Sequence, residues 1–333
     1  MKIFITGTSG FIGFALAQSL LKKGHKIHGY DSVNHYYDVK LKHARNKILK
    51  RFNNFRFTKG LLENEKKLKN TISKFKPDFI VHLAAQAGVR YSLKKPRTYL
   101  SSNIIGTYNI IEIANLVKVK HLLIASTSST YGANSKFPFL EIDKADKQLS
   151  VYAATKKATE NLAHSYSSLW KIPITMLRLF TVYGPWGRPD MALFKFTKSI
   201  IKGKKIDIYN NGEMYRDFTY IDDVVKAVEL LIKKIPRLNT KKKIKNDSIS
   251  SVAPFRIVNI GNQKKVYLKN FVKELENVLK IKSKKNMMPM QKGDVKLTFS
   301  DTKLLRKLTG FQPKTSFKVG IRKFISWYKS FYF

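Results

Sequence analysis

The stretch KIFITGTSGFIGFALAQSLLKKG, residues 2–24, decides the fold of this chain. It opens with a short apolar segment, KIFITG (2–7), that has the pattern of a buried β-strand. A helical pattern then runs from Phe11 to Lys23 and stops at Gly24. Its apolar positions recur on one face, at Phe14, Ala17, Leu20 and Leu21. The order is therefore a strand, a glycine-rich loop and a helix.

Three glycines, Gly7, Gly10 and Gly13, stand in the loop between that strand and that helix. Glycine permits a tight turn and a close approach of the backbone to a pyrophosphate, which then faces the helix N-terminus. The next strand, KIHGYD (26–31), ends in Asp31, which suits a ribose 2′-hydroxyl and would repel a 2′-phosphate. We therefore predict a dinucleotide site that prefers NAD to NADP. The alternative for Asp31 is a residue that only forms the turn after the strand.

Three more apolar strands follow, and helical patterns separate them. The strands are FIVHLAA (79–85), HLLIAST (121–127) and ITMLRLF (174–180), and the helices span 101–119 and 152–169. Strands that alternate with helices form right-handed crossovers, so we expect an α/β fold with a doubly wound parallel (Rossmann) sheet. Ligands bind such sheets at the carboxyl ends of the strands. The loops expected there are 7–13, 31–38, 84–92, 127–132 and 181–190.

The second half of the chain has a mixed pattern. RDFTY (216–220) and RIVNIG (256–261) have the pattern of strands. Amphipathic helices are expected at 222–235, 268–280 and 316–331. We predict an NAD-binding domain over residues 1–184 and a smaller α/β domain, mainly for the substrate, over 185–333, with segments that return to the main sheet. The polar, basic stretch 236–254 is expected to be a flexible surface excursion.

The charge of the chain is strongly positive. It has 64 Lys and Arg against 22 Asp and Glu, a formal net charge of +42. Such a field attracts polyanions. Three explanations are open: a nucleic-acid-binding role, a lysine-biased genome, and enrichment of an anionic substrate. The lysines are scattered along the chain, which favours compositional bias, and we also expect non-specific polyanion binding at low salt.

Several classes of protein are disfavoured by the sequence. It has no cysteine, no apolar run of membrane-spanning length, and no cluster of His and acids with metal-ligand spacing. We therefore expect neither a disulfide, nor a metal site, nor a membrane span, and we take the cytoplasm as the default location.

Tyr152 and Lys156 lie one helical turn apart in SVYAATKKATENLAHSY (150–166), so both side chains project from the same face. A free tyrosine titrates at about pH 10 and is a poor base at neutrality. The Lys156 ammonium and an oxidised nicotinamide ring would each lower the pKa of the phenol by about two units. Such a pair supplies a general base, although Tyr-x-x-x-Lys alone is common on helix surfaces.

Further motifs extend over nearly the whole chain. They are GTSGFIG (7–13), HLAAQAGVRYS (82–92), STSSTYG (126–132), VYAATKK (151–157), RLFTVYGPWGRPDMALFKF (178–196) and RDFTYIDD (216–223). Together they resemble the extended short-chain dehydrogenases that act on nucleotide sugars. NHYYDVKLKHAR (34–45) and GPWGRPDM (184–191) most resemble the UDP-glucuronate 4-epimerases of that group.

The resemblance implies tightly held NAD and a third catalytic residue, the hydroxyl donor Thr127, beside Tyr152 and Lys156. It assigns contacts with the cofactor to Gly7, Gly10, Phe11, Ile12, Gly13, Asp31, Asn34, Leu83, Ala84, Ala85, Asn103, Tyr152 and Lys156. It assigns contacts with the substrate to Arg90, Ser128, Ser129, Thr181, Arg188, Arg216 and Asp294.

The residues after Thr127 favour one reaction within this group. Related 4,6-dehydratases carry an Asp-Glu pair there, and related decarboxylases carry a Glu at the position of Ser129; this chain has Ser128 and Ser129. The resemblance therefore implies epimerisation at C4, from UDP-glucuronate to UDP-galacturonate, through transient oxidation to a 4-keto sugar. The alternatives are a UDP-glucose 4-epimerase and a non-catalytic basic Rossmann protein that binds nucleic acid.

A uronic acid needs a group that restrains its carboxylate, because a 4-ketone beside it makes a β-keto acid that readily loses carbon dioxide. A bidentate arginine with hydroxyl helpers suits this purpose. Arg188 is the first candidate and Arg90 the second. By the resemblance, Arg216 would bind the diphosphate and Asp294 the uridine ribose.

The resemblance also implies a homodimer. Members of the extended family commonly dimerise through a four-helix bundle, which here would use the helices expected at 101–119 and 152–169. It further implies that the product serves the biosynthesis of a surface polysaccharide.

Overall fold

The computed structural model describes residues 1–238 and 244–333. A central sheet of seven strands is built from β1 Lys2–Thr6, β2 Lys26–Asp31, β3 Phe55–Lys59, β4 Phe79–His82, β5 His121–Thr127, β6 Ile174–Leu179 and β10 Phe255–Ile260. The strand order is β3-β2-β1-β4-β5-β6-β10, and every pair is parallel. The order reverses between β1 and β4, where a crevice opens at the carboxyl ends. The predicted doubly wound parallel sheet is confirmed.

Helices cover both faces of this sheet. Their bounds are α1 Phe11–Lys22, α2 Val39–Leu49, α3 Glu65–Phe75, α4 Val89–Lys94, α5 Pro96–Tyr99, α6 Gly106–Leu116, α7 Val151–Trp170, α8 Ala192–Ile201, α9 Ile221–Ile232, α10 Leu268–Leu279, α11 Lys303–Thr309 and α12 Phe317–Tyr332. One hydrophobic core lies under α1 and α9, and a second lies under α3, α6 and α7. The first core continues into the C-terminal half through Phe194, Phe218, Phe271 and Phe324.

Two smaller sheets stand beside the main one. The strands β7 Thr181–Tyr183, β9 Tyr215–Tyr220 and β11 Lys265–Tyr267 form one, and β8 Ile206–Tyr209 pairs with β12 Lys285–Met288 in the other. The strand predicted at 256–261 is β10, which lies in the main sheet next to β6. The division into domains at residues 1–184 and 185–333 stays a prediction.

The sequence patterns missed α2, β3 and α3. The buried face of α2 carries Lys42, Arg45 and Asn46 beside two leucines, so polar residues interrupt its apolar period. The strand β3 is at the sheet edge and is only half-buried. Hydrophobic periodicity identifies helices that have an apolar face, so it misses a helix such as α2 whose buried face is largely polar.

Two predicted elements differ from the structure. The helix expected at 101–119 is a π-helical turn, Leu100–Ile105, followed by α6. The strand expected at 79–85 ends at His82, because the chain turns there into the loop that borders the crevice. Local π-helical turns often occur at functional sites.

The polar stretch 236–254 is partly an ordered segment. Residues 239–243 lie outside the described part of the chain. After them, Asp247 forms a bidentate ion pair with Arg256 of β10, with Oδ1–Nε at 2.9 Å and Oδ2–Nη2 at 3.0 Å. Ile257 N–H also donates to the Ser248 hydroxyl at 3.1 Å. The expectation of a flexible excursion is therefore wrong for Asp247 and Ser248, because a buried ion pair and a hydrogen bond fasten them to the sheet.

Among residues 1–238 and 244–333, no helix combines the length and the apolar character that crossing a bilayer requires.

Candidate active site

A cleft of about 1300 Å³ opens at the carboxyl ends of β1, β4 and β5. It is lined by all the residues to which the sequence assigned a site role, except Asn103: Gly7, Gly10, Phe11, Ile12, Gly13, Asp31, Asn34, Leu83, Ala84, Ala85, Arg90, Thr127, Ser128, Ser129, Tyr152, Lys156, Thr181, Arg188, Arg216 and Asp294. These residues come from segments spread over the chain. The parallel sheet brings most of them together at the carboxyl ends of its strands, while Arg216 comes from β9 of a smaller sheet and Asp294 from the loop after β12.

The glycine loop has the shape that a dinucleotide requires. Gly7 has φ +80°, and a Cβ there would lie 2.8 Å from the Ala84 nitrogen. A Cβ on Gly13 would lie 2.1 Å from the Gly7 carbonyl oxygen, so only glycine lets α1 pack against the loop. Gly10 occupies the N-cap position of α1, and no side chain there hydrogen-bonds to the N–H groups of the first turn. The N–H groups of the first turn therefore remain for an anionic ligand such as a pyrophosphate.

Asp31 also supports this loop. Its carboxylate accepts hydrogen bonds from Ser9 N–H at 3.0 Å and from Val33 N–H at 2.8 Å. Burial raises the pKa of the carboxyl, and the charges of Lys42 and Arg45 oppose that rise. Part of the side chain thus forms the turn, as the alternative interpretation supposed. A carboxylate offers about four acceptor positions, so a ribose hydroxyl can still be bound.

Tyr152, Lys156 and Thr127 meet at the centre of the cleft. The Lys156 ammonium is buried and donates to the Ala125 carbonyl at 2.9 Å. Burial lowers the pKa of Lys156 to about 8, and Glu160 opposes this effect. Thr127 Oγ1 accepts from Ser129 N–H at 3.2 Å and lies 3.3 Å from the Ser129 hydroxyl.

The electrostatics of Tyr152 differ from the sequence-based expectation. Burial raises the pKa of its phenol, while the Arg188 charge and a hydrogen bond with Thr127 lower it. Within the protein, therefore, the Arg188 charge favours the phenolate, and burial outweighs it. The sequence-based expectation assigned the lowering of the phenol pKa to Lys156 and to the nicotinamide ring. Neighbours on a helix can be read from the sequence, whereas burial cannot.

A buried ion pair lies beneath these residues. Glu160 accepts from Arg178 at 2.9 Å and 2.8 Å and from the Ser126 hydroxyl at 2.6 Å. Glu160 thus joins α7 to β5 and β6. Its partner Ser126 comes one residue before Thr127, and Glu160 itself lies one helical turn after Lys156. The sequence analysis missed this pair. The only signal was an acid four residues after Lys156, which is common on helices.

Arg188 is held by an acid two residues away. Its Nε donates to Asp190 Oδ1 at 3.0 Å and its Nη2 donates to Oδ2, while the Tyr36 hydroxyl donates to Oδ2 at 3.1 Å. Burial disfavours the charge of Asp190, but the Arg188 guanidinium outweighs it and lowers the pKa of the carboxyl. The motifs 34–45 and 184–191 thus meet at Asp190, a contact that no local sequence pattern predicts.

Arg90, Arg216 and Asp294 form one cluster. Arg216 Nη2 donates to Asp294 Oδ1 at 2.7 Å, and Arg90 Nη2 lies 3.9 Å from Asp294 Oδ2. The Arg90 guanidinium also lies over the Tyr209 ring, 4.3 Å from its centre. The structure thus groups Arg90 with the residues expected at the nucleotide. Asp294 binds arginine in this arrangement, which leaves less of its carboxylate for a ribose.

Asn103 lies behind the wall of the cleft. Its amide accepts from Gln86 N–H at 2.8 Å and donates to the Gln86 carbonyl at 3.1 Å and to Thr155 Oγ1 at 3.0 Å. These bonds tie the loop after β4 to α7. Asn103 is therefore suited to hold that loop, and its expected contact with the cofactor stays a prediction.

Arg45 is a functional candidate that the sequence analysis missed. The side chain is fully buried, and its Nη1 donates to the Ser9 carbonyl at 2.7 Å and to the Tyr37 hydroxyl at 2.8 Å. Its Nη2 donates to the Trp186 carbonyl at 2.6 Å. Arg45 thus ties the glycine loop to the loop that carries Arg188. Trp186 adopts φ +62°, a strained conformation for a bulky residue.

A strand–glycine loop–helix unit on a parallel sheet, with a Tyr/Lys pair one turn apart on the crossover helix α7 between β5 and β6, is typical of an extended short-chain dehydrogenase. The chain belongs to the family described as GDP-mannose 4,6 dehydratase, whose pattern matches residues 4–324.

The chain is similar to relatives with narrower descriptions. It is 48% identical over 336 residues to a "Probable UDP-glucuronate 4-epimerase" of Rhizobium meliloti, covering 100% of this chain and 98% of the relative. The crystal structure of UDP-glucuronic acid 4-epimerase from Bacillus cereus with UDP-glucuronic acid and NAD superposes with TM-score 0.89 at 31% identity, over 100% of both chains.

A structure of UDP-glucose 4-epimerase from Thermotoga maritima with UDP-glucose superposes with TM-score 0.86 at 26% identity, over 99% of both chains. The topology is thus shared by proteins named for acidic and for neutral sugars. The choice between them rests on side chains in the cleft.

Proposed function

We propose that this protein is an isomerase that inverts C4 of UDP-glucuronate to give UDP-galacturonate, through a 4-keto sugar and with NAD as cofactor. The observation that carries this proposal is the position of Arg188, whose charge acts on the phenol of Tyr152 within one cleft. A base for the 4-hydroxyl and a cation for the adjoining carboxylate are what this substrate requires. The similarity to relatives named as UDP-glucuronate 4-epimerases supports it.

The residues of the glycine loop fit NAD. The uncapped N-terminus of α1 suits the pyrophosphate, and Asp31 suits the adenosine ribose. Bound NAD would accept the hydrogen of C4 as hydride and return it to the opposite face of C4, so no NAD is consumed over the cycle.

Transfer of the 4-hydroxyl proton is assigned to Tyr152. Its phenolate takes this proton, and its phenol gives the proton back when the alcohol is restored. Thr127, which acts to lower the pKa of the Tyr152 phenol, is assigned to orient the hydroxyl group. The buried Lys156, anchored on the Ala125 carbonyl, adds a positive charge one turn away.

The carboxylate of the sugar is assigned to Arg188, with hydroxyl support from Thr181, Ser128 and Ser129, which line the same cleft. In the 4-keto intermediate, carbon dioxide leaves when the C5–C6 bond aligns with the carbonyl π system. A guanidinium that holds the carboxylate out of this alignment preserves the six-carbon sugar. The seryl pair provides no acid for elimination.

The diphosphate is assigned to Arg216 and Arg90. Both arginines share Asp294, which keeps them at one end of the cleft. We assign Asp294 to holding the arginines as well as to the ribose. With the diphosphate fixed there, the 4-keto sugar can rotate about the bond that joins it to the diphosphate. This rotation presents the opposite face of C4.

Proton NMR of the purified protein with UDP-glucuronate and no added reductant tests the function. We expect UDP-galacturonate signals to grow without release of carbon dioxide. Turnover of UDP-glucose, with UDP-glucuronate left unchanged, would contradict the proposal and favour the neutral-sugar epimerase. One observation supports that second candidate, since Asp190 neutralises the charge of Arg188.

We also propose a homodimer formed through α6 and α7. The large apolar residues exposed on these helices and on the turn before α6 are Leu100, Ile105, Tyr108, Leu116, Leu169 and Trp170. Tyr166 bridges two of them, with 6.1 Å between its ring centre and that of Tyr108 and 4.4 Å to that of Trp170, and Leu169 beside Trp170 is 68% exposed. A contiguous exposed apolar patch of this kind marks an interaction surface. In sedimentation velocity, Leu169→Glu should lower the mass of the particle and the matched change Val252→Glu should not. An unchanged mass for both variants would refute this interface.

We propose further that the protein acts in the cytoplasm, where nucleotide sugars and NAD are available, and that its charge of +42 causes weak polyanion binding. Exposed lysines lie on α2, α3, α8, α10 and α12, so no single face carries them all. RNA affinity should therefore vanish by about 0.2 M salt. Affinity that survives this salt would favour a dedicated nucleic-acid site.

A further inference from the structure

The Arg188 guanidinium has one of its two binding edges occupied within the protein. A guanidinium is planar, and both its Nε–Nη2 edge and its Nη1–Nη2 edge can face a carboxylate. Asp190 takes the Nε–Nη2 edge. The Nη1–Nη2 edge is the one that suits a second carboxylate. The orientation of the Arg188–Asp190 pair decides the direction in which that edge points.

Asp190 is itself held by a residue from the first half of the chain. The Tyr36 hydroxyl donates to Asp190 Oδ2 at 3.1 Å, across 154 positions of sequence. The Tyr36 ring packs on Tyr91, with 4.8 Å between ring centres. Gly88, at φ +102°, makes room for it, because a Cβ there would lie 2.5 Å from the Tyr36 oxygen. These contacts leave the hydroxyl little freedom.

The charges of the three groups define their roles. Burial and the nearby Asp190 charge raise the pKa of Tyr36, so its hydroxyl stays a donor. Asp190 stays an acceptor, since Arg188 keeps the pKa of its carboxyl low. The Arg188–Asp190 pair has no net charge, so it attracts an anion weakly by charge alone. What the pair supplies is a fixed direction for two N–H groups.

We propose that Asp190 and Tyr36 are positioning residues that orient Arg188 and thereby decide whether the 4-keto acid keeps or loses its carboxyl group. The inference rests on the proposed function and deepens it. When the carboxyl group is lost, the C5–C6 bond breaks and carbon dioxide leaves. The electron pair forms the C4–C5 enolate, which takes a proton at C5. The product is a UDP-4-keto-pentose, and the hydrogen removed from C4 stays on the nicotinamide.

The test measures how the substrate is partitioned. Wild type, Asp190→Asn and Tyr36→Phe are incubated with carboxyl-labelled UDP-glucuronate, and labelled carbon dioxide and UDP-galacturonate are counted. We expect the ratio of carbon dioxide to UDP-galacturonate to rise on the order of tenfold in Asp190→Asn, the typical effect of losing a hydrogen bond to a charged group. Tyr36→Phe should raise it less, and reduced nicotinamide should accumulate in both.

Matched controls lie away from the cleft. Asp78→Asn removes an acid from the surface pair with Lys120, and Tyr267→Phe removes a hydroxyl that donates to Glu213. Both should keep the wild-type ratio. A rise of equal size in the controls would show a general loss of stability and would overturn the inference.

A second background separates positioning from a structural effect. If Asp190 acts through Arg188, the variant Arg188→Ala should already have a raised ratio, and adding Asp190→Asn should raise it no further. An additional rise of the same factor would overturn the assigned route. Wild-type ratios in both Asp190→Asn and Tyr36→Phe, with normal epimerisation, would refute the inference alone. A wild-type protein that leaves UDP-glucuronate unchanged would refute the proposed function as well.

Discussion

The change Glu160→Gln tests the buried support of the active site. Both Glu160 and Arg178 have about 1% of their side chains exposed, and two N–H···O bonds join them. Glutamine keeps the size of Glu160 and removes its charge, which leaves the Arg178 charge buried and unpaired. Removing one partner of a buried pair costs about 3–5 kcal/mol. For 333 residues the unfolding entropy is roughly 0.7 kcal/mol per kelvin, so Tm should fall by about 4–7 °C.

The same change should alter the pH dependence of turnover. Glu160 opposes the burial that lowers the pKa of Lys156 to about 8. Without Glu160 the folded-state pKa of Lys156 falls further, and the ammonium loses its proton at a lower pH. If the charge of Lys156 supports Tyr152, the alkaline limb of the kcat profile on UDP-glucuronate should move to lower pH.

Calorimetry and pH-rate profiles of matched variants decide the matter. Glu213→Gln, in an exposed pair with Lys269, should shift Tm by less than about 1 °C. The double change Glu160→Met with Arg178→Met should recover most of the lost stability, because it leaves no unpaired charge. A Glu160→Gln protein that melts like Glu213→Gln, or an alkaline limb that does not move, would refute the reasoning.

Three further predictions concern the cofactor loop and the base. Gly13→Ala should abolish NAD binding, measured by calorimetric titration, because its methyl group would lie 2.1 Å from the Gly7 oxygen; normal affinity would contradict this. Tyr152→Phe should keep NAD bound through gel filtration and lose turnover, and an active variant would exclude the assigned base. Arg45→Met should weaken NAD binding and raise the KM for UDP-glucuronate, since Arg45 joins the glycine loop to the loop that carries Arg188; the exposed Arg51→Met is its control, and wild-type values for Arg45→Met would argue against that link.

The features that the sequence predicted correctly are local. The strand, glycine loop and helix of residues 2–24 were predictable because the apolar periods and the steric need for glycine act over a few neighbours. The spacing of Tyr152 and Lys156 likewise fixes their shared face once a helix is assumed. The alternation of strands and helices was enough to predict the parallel sheet.

The features that were missed depend on contacts between distant segments. Tyr36 meets Asp190 and Arg45 meets Trp186 because parallel strands end at one edge, and no local pattern marks these pairs. The helix α2 was missed for the same reason, since its buried face is polar in order to reach those partners.

The sequence by itself determined the type of sheet and the glycine loop, because short-range sterics and periodicity decide these, and its resemblance to a family proposed the residues that carry the chemistry. Only the tertiary structure decided how those residues are charged and aimed. Burial raises the pKa of Tyr152, Asp190 occupies one edge of Arg188, and Arg90 joins Arg216 at Asp294. Burial and long-range pairing arise only when the whole chain is packed, so these properties are absent from any local stretch of sequence.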